Sequence, residues 1–230
     1  SSRMPQRDPW EREYANPRLV SLGDEPQKDL MKCLKMLRKE HGLKLQGLKV
    51  LDLGSGVGKN SIYLQSLGNE VVGIELSQTA VTMAKQRAAE ESAKVDFRVG
   101  DMGQPYPFED TAFDLILDIM SSNSLNEAER ETYLNEMYRV LKPGGYCIVR
   151  GLCKDGDKNA NALLKMSPGK EKDTYVMPEM QLTERVFSKE DFVALYSSLF
   201  IVLHLEKKTN YARFGEKQFK RNYWLAILQR

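Results

Sequence analysis

The stretch KVLDLGSGVGKNSIYLQSLGNEVVGIELS, Lys49 to Ser77, sets one acid ahead of three glycines at alternate positions and a second acid at the end of the next apolar run. KVLDL and EVVGIEL read as short buried strands, and GKNSIYLQSLG between them reads as a helix that stops at Gly68. Strand, glycine turn, helix and strand in this order make the basic unit of a parallel α/β sheet. Gly54, Gly56 and Gly58 let the chain turn sharply and let a ligand approach where a Cβ would collide. Alone, they fit a bare structural turn equally well. Asp52 and Glu75 shift that balance, because both fall at the C-terminal ends of adjacent predicted strands and so flank one crevice. Glu75 can accept both hydroxyls of a ribose in charge-assisted hydrogen bonds worth about 1.5–3 kcal/mol each.

The same alternation continues in both directions. PQKDLMKCLKMLRKEHG places Leu30, Met31, Leu34 and Leu37 at helical spacing and ends at Gly42. A helix is expected from Ser77 through TAVTMAKQRAAEE, then strands in VDFRVGD and FDLILDIM. Asn126 with Glu129 three residues on resembles a capping box for a helix whose apolar face is Leu134, Met137, Val140 and Leu141, and GGYCIVRGL follows as a strand. These elements predict an open α/β sheet with helices on both faces and functional loops at the strand C-terminal ends. From Lys154 to Arg185 the periodicity fades, as in segments that are functional or mobile. A capped helix in SKEDFVALYSSL and two strands, FIVLHLEKK and NYWLAILQR, close the chain, joined by a basic connection.

Two more acids stand at strand ends. Asp101 can accept a proton from an exocyclic amino group such as that of adenine, with Met102 or Leu76 on the ring faces, although Met102 equally suits ordinary apolar filling. Asp118 can act on a cofactor or substrate, or cap the next turn.

Composition narrows the partners. The 230 residues hold 34 Lys and Arg against 32 Asp and Glu, a near-balance that singles out no class of partner. No apolar run approaches a membrane span and SSRMPQRDPWERE lacks a signal-peptide core, so a cytoplasmic protein is the default. Ser1 to Arg3, ahead of Met4, are consistent with a cloning remnant. Cys33, Cys147 and Cys153 contain no CxxC, and with His41 and His204 no spacing suggests a metal.

VLDLGSGVGKNSIYL, VVGIELSQTAV, FRVGDMGQPYPFEDTAFDLILDIMSSNSLN and MYRVLKPGGYCIV resemble, in order and spacing, the successive motifs of class I S-adenosylmethionine-dependent methyltransferases of the type 11/25 kind. The resemblance covers residues 48 to 150. It implies a Rossmann-like α/β fold with a seven-stranded, mostly parallel sheet whose last strand is antiparallel and inserted as a hairpin, with helices on both faces. It implies S-adenosylmethionine as cofactor and S-adenosylhomocysteine as product. The loop Gly54 to Gly58, with Ser55 and, just after it, Asn60, would meet the methionine part, Asp52 lying near its amino group. Glu75 and Leu76 would serve the ribose and its surroundings, Asp101 and Met102 the adenine, and Asp118, Ile119 and Met120 the approach to the methyl. No NPPY or DPPY follows the fourth strand, which disfavours amino-group methylation of adenine in DNA or of glutamine.

Residues 28–230 are expected to form the methyltransferase domain, with 154–185 as a substrate-side insertion and 1–27 as a leader. Trp10 and Tyr14 in WEREY are spaced i and i+4, so one helical face presents both rings, either as a cover over the pocket or packed outside it. Asp118, Tyr14 and His204 are catalytic candidates by chemistry alone, and His204 in VLHLE is more ordinary as a packed strand residue. A small-molecule acceptor is favoured. An RNA or protein acceptor is the alternative, since Lys207 to Arg221 holds six basic residues against Glu216, interleaved with Tyr211, Phe214, Phe219 and Tyr223. A noncatalytic cofactor-binding or scaffolding member of the fold is the third reading. A nicotinamide enzyme fits poorly, because it expects GxGxxG and leaves Asp52 and Asp101 unexplained.

Overall fold

The apolar runs become strands because helices cover both of their faces. In β1 (Lys49–Leu53), Val50 joins one core cluster with Leu30, Leu34 and Leu37, while Leu51 and Leu53 join the other with Met137 and Phe192. The alternation repeats in β4 (Phe113–Ile119), where Leu115 and Leu117 face the first cluster and Ile116 the second. The computed structural model describes residues 6–17, 20, 23, 25–214 and 216–230, so Ser1 to Arg3 lie outside it, as do several leader residues.

Chain order runs α1 (Arg7–Ala15), α2 (Lys28–His41), β1, α3 (Lys59–Ser66), β2 (Glu70–Glu75), α4 (Gln78–Glu90), β3 (Asp96–Val99) and β4. It continues with α5 (Glu127–Val140), β5 (Leu141–Leu152), α6 (Lys158–Met166), β6 (Thr174–Met177), β7 (Leu182–Arg185), α7 (Lys189–Ser197), β8 (Ile201–Phe214) and β9 (Lys217–Gln229). The seven-stranded sheet has the order β3-β2-β1-β4-β5-β9-β8. β9 alone runs against its neighbours, antiparallel to both β5 and β8, as the resemblance implies. The strand order reverses between β1 and β4, so their carboxyl ends open a crevice between connections that leave in opposite directions.

Local chemistry sets the helix ends. Asn126 and Glu129 form the reciprocal capping box of α5, Ser77 caps α4, and Gly42 ends α2 in the left-handed region at φ 66°.

Two regions depart from expectation. Residues 154–185 carry α6 and the β6–β7 hairpin, whose four-residue strands are too short to show a period. The basic connection is not a loop either. β8 and β9 pair from Ile201 to Phe214, so Lys207 to Arg221 lies almost wholly in strands that extend past the end of β5. No helix among the described residues is long and apolar enough to cross a membrane.

Candidate functional site

A cavity of about 690 Å³ opens at the carboxyl ends of β1, β2 and β4, in the size range of small-molecule sites. Gly54, Ser55, Gly56, Asn60, Glu75, Leu76, Asp101, Met102, Ile119 and Met120 all line it, which brings together most of the residues singled out by sequence.

The glycine loop is anchored from below, since the amides of Gly54 and Ser55 both donate to the Ile74 carbonyl, at 2.8 and 3.0 Å. Gly56 has φ 57°, and a Cβ there would stand 2.8 Å from the Tyr14 hydroxyl. Asn60 accepts from the Gln27 amide at 2.9 Å, tying the start of α3 to the start of α2. Ser55 packs its hydroxyl against Gly73, and it finds no hydrogen-bond partner among the described residues.

Glu75 ends β2 and is 6% exposed. One carboxylate oxygen accepts from the Gly56 amide at 3.0 Å and the other from Ser77 at 2.7 Å. Burial pushes its carboxyl up to about 7, against the pull of those amides. Each oxygen retains a lone pair, so a diol has acceptors here. Asp101 accepts from the Gly103 amide at 2.9 Å and lies beside Met102, while Ile74, Leu76 and Met102 supply apolar walls. A glycine cradle, a paired-lone-pair acid and flat apolar walls fit a nucleoside bearing an amino-acid chain.

Other candidates stand behind the wall. Asp52 is buried away from the cavity, accepts from the Ser61 hydroxyl at 2.7 Å, and burial lifts it to about 7. Gly58 does not line the cavity; a Cβ there would strike the Phe97 ring and crowd Ala84, so its smallness serves packing. Asp118 is fully buried and accepts from the amides of Ser121 and Ser122 at 3.1 and 3.0 Å and from the Tyr133 hydroxyl at 2.5 Å. Of its two possible roles it takes the cap, holding the chain where Met120 reaches φ 67°. His204 sits on β8 bonded to Glu206, outside the cavity.

The leader does reach the cavity. α1 packs against α4, with Glu11 bonded to the Thr79 hydroxyl at 2.6 Å, and Gln6 donates to the carbonyls of Ser124 and Thr183 at 2.8 Å each. Trp10 and Tyr14 both line the cavity, their ring centroids 6.2 Å apart. Burial, with Glu75, Glu13 and Asp52 nearby, holds the Tyr14 hydroxyl well above its ordinary value. Tyr14 therefore stays a protonated phenol here and is a poor base.

Sequence reasoning missed Arg150, Lys59 and Glu184, which also line the cavity, as do Tyr211 and Tyr223 from the aromatic and basic run. Arg150 had a signal: a lone cation at the end of the apolar run CIVRGL. Arg221 was read as a surface cation, yet it is 6% exposed, bonds Tyr175 at 2.8 Å and faces Asp157 and Glu184.

Residues 50–145 match the family model described as a methyltransferase domain. The chain is 37% identical over 108 residues to a chloroplastic tocopherol O-methyltransferase of Arabidopsis thaliana, a match covering 46% of this chain and 30% of that enzyme. It thus spans less than a third of that relative's length. Among solved structures, a SAM-dependent methyltransferase from Methanosarcina mazei superposes with a TM-score of 0.73 at 25% identity, covering 83% of this chain and 96% of that one. A Burkholderia thailandensis 1,6-didemethyltoxoflavin-N1-methyltransferase with bound S-adenosylhomocysteine shares the fold, with a TM-score of 0.70 at 17% identity over 97% of this chain and 86% of that one.

Proposed function

Because the chain belongs to the class I S-adenosylmethionine-dependent methyltransferases, we propose that it transfers a methyl group from S-adenosylmethionine to a small-molecule acceptor by in-line displacement. The observation that carries this reading is the Glu75 carboxylate, held by the Gly56 and Ser77 amides inside a cavity roofed by α1.

In this reading Glu75 holds the ribose hydroxyls and Asp101 the adenine amino group, with Leu76 and Met102 on the ring faces. Gly54, Ser55 and Gly56 present backbone to the methionine part, while Asp52 acts indirectly by fixing Ser61 at the start of α3. Bound S-adenosylmethionine supplies a methyl that is already electrophilic. What remains for the protein is to align the acceptor and keep water out, and such alignment lowers barriers by about 7–11 kcal/mol in favourable cases. Trp10 and Tyr14 exclude water above the loop, and Ile119 and Met120 line the approach to the methyl. Tyr14 is too poor an acid to be deprotonated readily, so the reading assigns no general base.

A small acceptor is supported by the roof that α1 makes and by Arg221, whose internal partners withdraw it from the basic surface. The Arabidopsis relative is likewise named for a small molecule, tocopherol. Within the leader α1 serves as the cover, residues 154–185 contribute Glu184 to the acceptor wall, and the protein works in the cytoplasm. Incubating the protein with labelled methyl donor and a fractionated extract tests this. Label should enter the small-molecule fraction; label in RNA or protein would reverse the acceptor class, and no transfer at all would favour a noncatalytic role.

A further inference from the structure

Three cations line the cavity; Arg221 is held by Tyr175, Asp157 and Glu184, which leaves Arg150 and Lys59 without a part in the donor site just described. Arg150, at the carboxyl end of β5, is 9% exposed and lines the cavity beside Met120, whose amide donates to the Arg150 carbonyl at 2.8 Å. Its Nε donates to Asp29 at 2.7 Å, and the Tyr223 ring lies 3.9 Å from the guanidinium carbon. The group is thus fixed at one edge and on one face. Its two terminal nitrogens find no acceptor among the described residues, and two parallel N–H groups on a rigid fork match a carboxylate. Lys59, at the first turn of α3, lines the same cavity with no acid in ion-pair range among the described residues. Asp29 pairs with Arg150, and no such pair is made by Lys59 among the described residues.

We propose that Arg150 and Lys59 form a subsite for a carboxylate carried by the methyl acceptor. The inference rests on the methyltransferase reading and adds the acceptor's chemical class. Burial and Arg150 both depress the proton affinity of Lys59, the state an anion between them would relieve. Position separates Arg150 from the carboxylate of the donor itself: Glu75, Asp101 and the glycine loop lie at the ends of β1 to β3, whereas Arg150 lies beyond β4, about 10 Å from β1 at ordinary strand spacing. Lys59 directly follows Gly58 and borders the glycine loop, so the response of S-adenosylhomocysteine to the Arg150 variants tells the two carboxylates apart. Tyr211, 73% exposed on the β8–β9 arm, and Tyr223 line the cavity on this side and give the rest of such an acceptor an aromatic wall.

Calorimetric titration with benzoate and with benzamide, on protein saturated with S-adenosylhomocysteine, tests the subsite, because the probes share a ring and differ in charge. Benzoate should bind at least about tenfold more tightly. Arg150→Lys, which keeps the charge and loses the fork, should weaken benzoate by about tenfold and leave S-adenosylhomocysteine affinity within about twofold. The double variant D29N/R150Q, which removes both buried charges together, should do the same if the single variant folds poorly. Equal binding of the two probes, or benzoate affinity untouched by both variants, would overturn the proposal. So would a tenfold loss of S-adenosylhomocysteine, which would give the anion site to the donor. If S-adenosylhomocysteine fails to bind the unaltered protein, the methyltransferase reading falls, and benzoate titrated into ligand-free protein still reads the anion site.

Discussion

The hydroxyl of Tyr14 lies 2.8 Å from the point where a Cβ on Gly56 would begin. The leader helix and the glycine loop are therefore fitted to each other, with no room for a methyl group between them. Gly56→Ala should strain the left-handed backbone by about 1 kcal/mol and displace Tyr14, lowering S-adenosylhomocysteine affinity by about tenfold. Tyr14→Phe removes the obstructing oxygen, so the double variant should regain part of that loss. A double-mutant cycle by titration calorimetry measures the coupling, and strictly additive effects would show that the contact has no energetic meaning.

Glu75 makes a prediction in which ligand-free stability and ligand affinity move oppositely with pH. Burial lifts its carboxyl and that of Asp52 from 4.5 and 3.8 to about 7. The folded, ligand-free chain then binds protons that the unfolded chain has released. The contribution of these groups is complete below about pH 4 and is lost as pH rises through about 7. Ligand binding needs the carboxylate as acceptor, so S-adenosylhomocysteine affinity should rise over the same interval. Calorimetric melts from about pH 5 to 8 should show the ligand-free Tm falling, and Glu75→Gln should flatten that fall. Glu75→Ala at neutral pH should cost about 1.5–3 kcal/mol of ligand affinity. Undiminished affinity in a folded variant would remove Glu75 from the site.

How far sequence reaches depends on the range of the interactions involved. Asn126 and Glu129 announce α5 because a capping box closes over three residues, and Gly54 and Gly56 announce the crevice because a left-handed turn at a strand end has a local cause. That Glu75 and Asp101 line the cavity was legible because strand ends border the crevice in this topology. Asp118 sits in an equally suitable position, and only packing decided that it turns toward Tyr133 and the Ser121 and Ser122 amides. Gly58 matched the glycine pattern while its real constraint, Phe97, lies on β3. Arg221 shows the same limit: its acids come from α6's cap and from β7, so a buried ion network looked like a basic surface run.

That network separates the basic residues of the β8–β9 arm into two kinds. Lys217 and Lys220 are exposed, so changing both to Gln should leave stability and small-molecule turnover within experimental error. Arg221→Gln leaves Asp157 and Glu184 facing a neutral group in a buried setting, which should cost about 3–5 kcal/mol of stability. Chemical denaturation measures the difference. Equal, small effects at all three positions would return Arg221 to the surface. RNA binding whose salt dependence weakens in the double lysine variant would favour a nucleic-acid acceptor.

The last prediction concerns α1 as a cover. Among the described residues, Thr79 donates to Glu11, and Gln6, just ahead of the helix, bonds the backbone of Ser124 and Thr183. Arg7, Asp8, Glu11, Arg12 and Glu13 make most of RDPWEREYA charged, so Trp10 and Tyr14 provide most of the apolar area that holds the helix down. Both rings lie against the cavity, which means that a bound ligand adds contact surface to the very residues that keep the helix in place. Opening should therefore be easy without ligand and suppressed with it. Limited chymotryptic digestion should cut after Trp10 and Tyr14 in the free protein and slow by about tenfold at saturating S-adenosylhomocysteine, where ligand linkage exceeds about 1.4 kcal/mol. Because Gln6 bonds both the amide and the carbonyl of Thr183, protection should extend to cleavage by trypsin at Arg185 and be weaker at Lys165 in α6. Glu11→Ala should raise the cutting rate of the free protein and leave that of the saturated protein nearly unchanged, since the ligand then supplies the missing restraint. Cleavage at Trp10 and Tyr14 that is indifferent to ligand would mean that α1 is a fixed wall of the cavity and that the acceptor enters by another side.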